Sequence, residues 1–352
     1  MNKSKEQRIA WLDTARAISI MLVVLGHSLV TQVRENNALA MMLYNIIYSF
    51  HMPLWLLLSG YVLRLSLERN STNQILKNKI KQLIIPYFVY GTFVYMIFAI
   101  ISNIHFFGNM LPEGTSGIGV IEYFVNMLMG KNIYSIHLWY IYVLFIYYLI
   151  VIGIINICNR IRISYRIILF VISVIVLLLR RTICINFPDI ITTYLMPLFI
   201  YFIVGVCIDI NNISRKNTIT LVIIFIGLAF VLKKVDLVGA TRYITATYYI
   251  LKTVEKMTLI IVLCKMFKYL THKLADKIRK TLDFVSLHCL DIYLWHLPFC
   301  TTCVGAVLYK VMPNCPFLIV TITFVIGMVA PIIITNIISK IKRSSLLWLK
   351  RN

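Results

Sequence analysis

The sequence predicts an all-α polytopic membrane protein, a bundle of about ten transmembrane helices. Of its 352 residues, 60% are hydrophobic and only 14% are charged, and the mean hydropathy is +0.84. A soluble globule of this size would need more polar side chains than this composition supplies. Apolar runs of roughly 18 residues, the length that crosses a hydrocarbon core, follow one another along the chain.

The predicted spans are separated by short basic or turn-rich segments. In chain order they cover residues 10–30, 39–63, 83–107, 136–157, 166–180, 190–209, 218–234, 244–267, 284–308 and 316–340. An even number of spans places both termini on one side of the membrane. The segments predicted on that side contain 24 of the 35 Lys and Arg residues and the opposite segments contain 8, so the positive-inside rule assigns both termini to the cytoplasm.

The net charge of +22 does not indicate a nucleic-acid partner. The basic residues are scattered among short loops between apolar helices, where anionic membrane lipids account for them. The basic, hydrophobic N-terminus resembles a signal peptide. However, charged residues interrupt it and no small-residue cleavage site follows, so we expect it to remain as the first helix.

The domain organisation is expected to be simple. We expect one integral-membrane domain over 1–352, with its motifs between about 8 and 298 and no appended soluble domain. The segment from Asn103 to Ser135 is rich in Pro and Gly and is expected to be an outer loop that covers a site. The eight cysteines show no disulfide framework; the Cys300 and Cys303 CxxC is expected to pack in a helix rather than bind metal.

Two cysteines have a different expected environment. Cys184 and Cys315 lie near the predicted outer face, where an oxidising compartment could pair them.

The first span contains ionisable residues in an otherwise apolar segment, Arg8 to His27. Ionisable groups within a membrane span usually indicate function. Arg16 and His27 are eleven positions apart, so a helix places both on one stripe, about 16 Å apart along its axis. Asp13 lies on the same segment. One stripe therefore carries a fixed cation and a titratable base.

The second and third spans contain two further motifs, each with two interpretations. FHMPLWLLLSGYVLR contains His51, Ser59 and Arg64 and is either a kinked, closely packed helix or part of a site. The basic segment KNKIKQLIIPYF, with Lys79 and Lys81, is either a topology determinant or a docking surface for a polyanion.

The fourth and ninth spans add aromatic and histidine residues. IHLWYIYVLF contains His137 and Trp139, which belong either to an aromatic belt or to a sugar-binding site. FVSLHCLDIYLWHLP contains Asp291, Tyr293 and His296. Within this motif His288 can pair with Asp291, and Tyr293 with His296, because each pair is three residues apart. The accumulation of histidines inside or beside spans favours a polar cavity between helices.

These motifs occur in the order typical of a known family. Several landmarks of the membrane acyltransferase-3 family resemble motifs of this chain: Arg16 and His27 with ten residues between them, FHMPLWLLLSGY, the basic segment ending in LIIPY, HLWYIYVL and LDIYLWHLP. The similarity is greatest to its surface-polysaccharide and fucose O-acetylase branch. The chain departs from the family at Ala17, where many members have Gly, and at Gln82 and Leu83, where many have another arginine.

The resemblance implies transfer of an acyl group, usually acetyl, from cytoplasmic acetyl-CoA to a hydroxyl of a carbohydrate or lipid-linked glycan. A sugar hydroxyl needs a base, and histidine suits that role. We therefore expect His27 to be catalytic, either as a base or as a covalent acyl carrier.

The remaining site residues are assigned by role. Donor binding is assigned to Arg16, Arg64, Lys79 and Lys81; acceptor binding or oxyanion stabilisation to His51, His137, Trp139, Tyr293 and His296; orientation to Asp13, Ser59 and Asp291.

The expected partners are an acyl-CoA, a glycan acceptor and membrane lipids, with no nucleic acid, metal or permanently bound cofactor. The expected location is the bacterial cytoplasmic membrane. The other function class is a transporter or flippase for a glycan or small polar solute, which can also use intramembrane His, Arg and Asp.

Overall fold

A computed structural model describes residues 9–102, 118–183, 190–235, 237 and 241–349. Throughout this part of the chain, every regular element is a helix, as the sequence predicts for an all-α polytopic membrane protein. In chain order the α-helices are α1 Ala10–Ser28, α2 Thr31–Glu35, α3 Ala38–Leu67, α4 Thr72–Lys79, α5 Ile85–Ser102, α6 Val120–Leu128, α7 Trp139–Ile161, α8 Tyr165–Ile183, α9 Met196–Cys207, α10 Arg215–Lys233, α11 Arg242–Thr271, α12 Asp276–Leu287, α13 Cys289–Trp295, α14 Val304–Val311 and α15 Pro316–Leu349.

Short helical segments of other types connect several of these. Wider π-helical turns cover Ile80–Ile84, Ile190–Leu195 and His296–Cys303, and tighter 3₁₀ turns cover Ile136–Leu138 and Ile210–Asn212. Because these turns continue into neighbouring α-helices, several spans combine more than one helical segment, such as Thr72–Ile101.

Eight helical stretches in the described residues are long and apolar enough to cross a membrane. They are Ala10–Ser28, Ala38–Leu67, Thr72–Ile101, Ile136–Ile161, Ile190–Cys207, Arg215–Lys233, Cys289–Val311 and Pro316–Lys340. The spans predicted at 166–180 and 244–267 are also helical, as α8 and α11. However, the described apolar stretch of α8 is short, Tyr165–Leu179, and α11 contains Lys252, Glu255 and Lys256.

The helices divide into two compact units. The first unit comprises Met1–Trp55, Ser214–Val222 and Thr258–Asn352, and the second comprises Leu56–Ile213 and Ile223–Met257. In the first unit, α1 packs against α12, α13 and α15. Small residues allow this packing: a Cβ on Gly327 would lie 2.7 Å from Thr301 Cγ2 and 2.8 Å from Val24 Cγ1.

The second unit contains an even closer helix crossing. The C-terminal part of α3 meets α9, with Gly60 against the carbonyl of Phe202 and Gly205 against the carbonyl of Leu57. A Cβ at either glycine would overlap backbone, so the two helices approach this closely only because both positions are glycine.

The span predicted at 284–308 is present as Cys289–Val311, but it is interrupted and is not one continuous helix. The chain instead forms the C-terminal part of α12, a turn at His288, α13, the His296–Cys303 segment and α14. Pro298 explains the main interruption, because it lacks an N–H and disfavours helical backbone at the preceding residue. Leu297 is accordingly extended, with φ −114° and ψ 149°. Side chains satisfy nearby carbonyls: Thr301 Oγ1 donates to the His296 oxygen at 3.0 Å.

The basic segment before the predicted third span, residues 77–82, is helical and not the short loop expected between spans. This segment is continuous helix from α4 through Ile80–Ile84 into α5. Ser71 begins it, because its hydroxyl accepts the Gln74 N–H at 3.3 Å. Lys79 and Lys81 therefore have positions fixed on a helix.

The expected outer loop between Asn103 and Ser135 is partly helical. Residues 103–117 lie outside the described part of the chain, whereas α6 occupies Val120–Leu128. Tyr123 fixes α6 to α5 by donating its hydroxyl to the Gly91 oxygen at 2.7 Å. Burial raises the pKa of Tyr123 well above its ordinary value, which keeps this phenol a donor.

Candidate active site

His27 lies in the last turn of α1, next to aromatic and histidine side chains of the first unit. Its Nδ1 is 3.2 Å from the Tyr48 hydroxyl oxygen, and its ring centroid is 5.2 Å from that of His296. The side chain is half-buried. The structure therefore places one predicted acceptor residue, His296, beside the predicted catalytic histidine.

His51 and His296 are held by backbone carbonyls. His51 Nδ1 lies 2.8 Å from the Ile47 oxygen, and His296 Nδ1 lies 2.8 Å from the Tyr293 oxygen. A carbonyl oxygen only accepts, so in both rings Nδ1 carries the hydrogen. When such a ring is neutral, its Nε2 atom is the acceptor. Both residues are almost completely buried.

The interaction between His27 and Tyr48 leaves two tautomers. If the phenol donates, His27 Nδ1 accepts and its Nε2 carries the hydrogen. If Nδ1 donates to the phenol oxygen, Nε2 has a lone pair and can take a proton from a substrate hydroxyl. Tyr48 is therefore in position to control whether His27 can act as a base.

The sequence analysis missed Tyr48 and its neighbour Tyr44. Their rings are stacked with centroids 3.9 Å apart, and Tyr48 also contacts His51 at 4.7 Å. Tyr44, Tyr48 and His51 are spaced by four and three residues, which places them on one helical face. This spacing could have identified both tyrosines once α3 was recognised.

The N-terminal part of α1 contains the predicted cation and its orienting acid. Arg16 Nη1 is 3.9 Å from Asp13 Oδ1, and Ser286 of α12 donates to the same oxygen at 2.9 Å. Arg16 and His27 both lie on continuous helix, as the eleven-residue spacing requires. Asp13 thus connects Arg16 to α12.

A second acid lies on α13. The His288 Nδ1 to Asp291 Oδ2 distance is 2.9 Å, so these residues pair as their spacing predicts. Tyr293 and His296 contact each other through their rings, with centroids 5.9 Å apart, and through the Tyr293 backbone oxygen.

In the second unit, Arg64 is already engaged by protein groups. Its Nη1 donates to the Ile208 oxygen at 2.5 Å, and its Nη2 lies 3.0 Å from Asp209 Oδ2. Glu68 is a weaker neighbour at 3.8 Å. These contacts connect α3 to the end of α9 and are sufficient to explain the position of the half-buried guanidinium.

The two lysines assigned to donor binding, Lys79 and Lys81, differ in their surroundings. Lys79 Nζ lies 4.8 Å from the Tyr148 ring centroid and 3.3 Å from the Gln82 side-chain oxygen. Lys81 is exposed.

The remaining predicted residues of the second unit are in aromatic contacts. Ser59 Oγ is 2.9 Å from the Tyr140 hydroxyl, Trp139 stacks on Tyr194 at 4.1 Å, and the buried His137 lies 5.8 Å from the Tyr90 ring. Sequence reasoning identified Trp139 but not Tyr194, which is 55 positions away and has no recognisable motif.

No group of three or more His, Cys, Asp or Glu side chains in the described ranges could hold a metal ion. Cys300 and Cys303 are both free thiols, the first buried and the second exposed. Cys315 is an exposed free thiol. Its expected partner, Cys184, lies outside the described residues.

A family profile, described as an acyltransferase domain, matches residues 9–336 of the chain. The chain belongs to the acyltransferase-3 family. This match covers nearly the whole sequence and includes every residue assigned above, so the protein is a membrane acyltransferase. No curated protein and no solved structure matches the chain. Within this acyltransferase-3 chain, Asp13, Arg16, His27, His51, Asp291, Tyr293 and His296 are in the first unit, and the other assigned residues are in the second.

Proposed function

We propose that the protein is an O-acetyltransferase that moves an acetyl group from acetyl-CoA to a hydroxyl of a surface or exopolysaccharide sugar, or of its lipid-linked precursor. The observation that carries this proposal is the half-buried His27, whose Nδ1 meets the Tyr48 hydroxyl and whose ring lies beside His296. An acyltransferase acting on hydroxyls needs a base of this type.

The proposed reaction begins with His27 Nδ1–H donating to Tyr48, which leaves Nε2 unprotonated. As the sugar oxygen attacks the thioester carbonyl, Nε2 takes the hydroxyl proton. The carbon–sulfur bond then breaks and the imidazolium returns that proton to the departing CoA sulfur. Transfer through an acyl group on His27 is the variant pathway.

Other assigned side chains have proposed roles in the reaction. Tyr293 and His296 position the acceptor or stabilise the developing oxyanion, with Trp139 as the candidate in the second unit. His51 and His137 are further acceptor-binding candidates. Asp13, Ser59 and Asp291 orient their neighbours.

Donor binding is proposed for basic side chains. Arg16, Lys79 and Lys81 offer charges for the CoA phosphates. Arg64 shares this role in the proposal, although its contacts with Ile208 and Asp209 also support a purely structural one. We infer a bacterial cytoplasmic membrane location with both termini in the cytoplasm from the distribution of basic residues.

The test is transfer of radiolabelled acetyl from acetyl-CoA into membrane glycans. His27→Ala is compared with wild type at matched expression, and His272→Ala is the matched control because His272 is exposed in the turn after α11. We expect label with wild type and His272→Ala and none with His27→Ala. Equal label in all three would exclude His27 as the essential base.

One observation favours the transporter alternative. The span Cys289–Val311 is interrupted at Leu297, and interrupted helices form solute sites in many transporters. A transporter would change the distribution of glycan across the membrane without attaching acetyl, so absence of label together with altered surface glycan would favour it.

A further inference from the structure

Arg34 is a cation in the first unit that the proposed reaction does not use. It lies on α2, and its guanidinium carbon is 3.9 Å from the Tyr44 ring centroid. Tyr44 stacks on Tyr48 at 3.9 Å, and the Tyr48 hydroxyl reaches His27. Arg34, Tyr44, Tyr48 and His27 therefore form one continuous row of contacts, which we call the Arg34 row.

The Arg34 row has a rigid support. Tyr44 and Tyr48 pack against a buried apolar cluster. Its members are Leu29, Val30, Val33, Ala40, Ile47, Ile319 and Val320. This packing fixes the position of the guanidinium relative to the His27 imidazole.

The Arg34 guanidinium has unused capacity to bind an anion. Its Nη2 donates to Thr31 Oγ1 at 2.8 Å, whereas its Nε is enclosed by protein and has no acceptor among the described residues. Over the same described ranges, no Asp or Glu carboxylate is within ion-pair distance of it. A guanidinium has five N–H donors. Apart from the enclosed Nε–H and the Nη2–H given to Thr31, three N–H groups on Nη1 and Nη2 remain for an anion.

The local environment strengthens attraction to an anion. Enclosure of Nε and stacking on Tyr44 remove part of the hydration of the guanidinium, and a partly dehydrated charge interacts more strongly with an opposite charge. The planar fork matches the two oxygens of a carboxylate or phosphate.

We propose that Arg34 binds an anionic group of the glycan acceptor, a carboxylate or a phosphate, and so places a neighbouring hydroxyl at His27. This inference rests on the proposed function and adds to it the chemical class of the acceptor. The anionic group has two chemical sources, the carboxylate of an acidic sugar and the phosphate that joins a glycan to its lipid.

The test measures acetyl transfer from acetyl-CoA to three acceptor preparations, with the full-length protein in membranes. The acceptors are the glycan fraction of the host envelope, the same fraction with its carboxylates converted to amides, and the same fraction released from lipid phosphate by mild acid. The variants are Arg34→Gln, which removes the charge, Arg34→Lys, which keeps it, and Lys310→Gln. Lys310 is the matched control because it is an exposed cation of the same unit.

With untreated acceptor we expect Arg34→Gln to raise the acceptor KM about 10-fold, the scale of a lost charge-assisted hydrogen bond. Arg34→Lys should recover part of this loss, and Lys310→Gln should match wild type. Removing the recognised charge from the acceptor should slow transfer by wild type to the rate of Arg34→Gln. The same treatment should not slow Arg34→Gln further, because that variant already lacks the interaction. The treatment that has this effect identifies the source as carboxylate or phosphate.

The experiment distinguishes failure of the anion site from failure of the proposed function. If wild-type transfer depends on His27 but Arg34→Gln equals wild type with all three acceptors, the anion site is refuted and the proposed function stands. If wild type transfers no acetyl to any acceptor, both are refuted.

Discussion

Tyr48→Phe tests whether the Tyr48 hydroxyl makes His27 a base. The substitution keeps the ring that stacks on Tyr44 and contacts His51. It removes only the oxygen that lies 3.2 Å from His27 Nδ1. Without that acceptor, the productive tautomer of His27 loses its hydrogen bond.

The size of the effect follows from this one interaction. A hydrogen bond contributes about 0.5–1.5 kcal/mol net, and each 1.36 kcal/mol changes a rate about tenfold. We therefore expect kcat for acetyl transfer to fall about 3- to 10-fold, with the KM for acetyl-CoA unchanged. Loss of His27 itself should cost more, about 10²- to 10⁴-fold, because general base catalysis is removed.

The assay is initial-rate acetyl transfer at saturating acetyl-CoA, with protein level measured in each membrane preparation. Tyr309→Phe is the control, because it removes a phenol oxygen of the same unit that bonds to Asn36 instead of a histidine. A kcat for Tyr48→Phe within twofold of both wild type and Tyr309→Phe would refute the reasoning. An equal fall in both variants would assign the effect to packing.

Three further predictions concern packing and orientation. Gly60→Ala should lower the free energy of unfolding by about 1–3 kcal/mol, because the added Cβ would overlap the Phe202 carbonyl. The measurement is the unfolding midpoint in detergent. The control is Gly153→Ala, because a Cβ at Gly153 would meet nothing within 4 Å. Asp209→Asn should lower the same midpoint and leave the KM for acetyl-CoA unchanged if Arg64 is structural; a raised KM at an unchanged midpoint would instead assign Arg64 to the donor. Ser286→Ala should raise the KM for acetyl-CoA about 3- to 10-fold by releasing Asp13 beside Arg16, and Ser339→Ala, an exposed serine of the same unit, should not.

The helical membrane fold could be predicted because its cause is local. Burial in hydrocarbon requires long apolar segments with internally satisfied backbone groups, and that requirement is visible in composition and run length. The interruption at Leu297 was also present in the sequence, since Pro298 restricts the residue before it. The helix through Lys79 was missed because its charges resembled a loop.

The sequence by itself determined which ionisable residues lie within apolar spans and which of them share a helix, such as Arg16 with His27 and His288 with Asp291. Only the tertiary structure decided which side chains of other helices each of these residues contacts. Tyr48 reaches His27 from 21 positions away, and Asp209 reaches Arg64 from 145. Ser286 reaches Asp13 from 273 positions away. Helical periodicity fixes a face within one helix, but the rotation and depth at which two helices pack depend on the fit of many side chains at once.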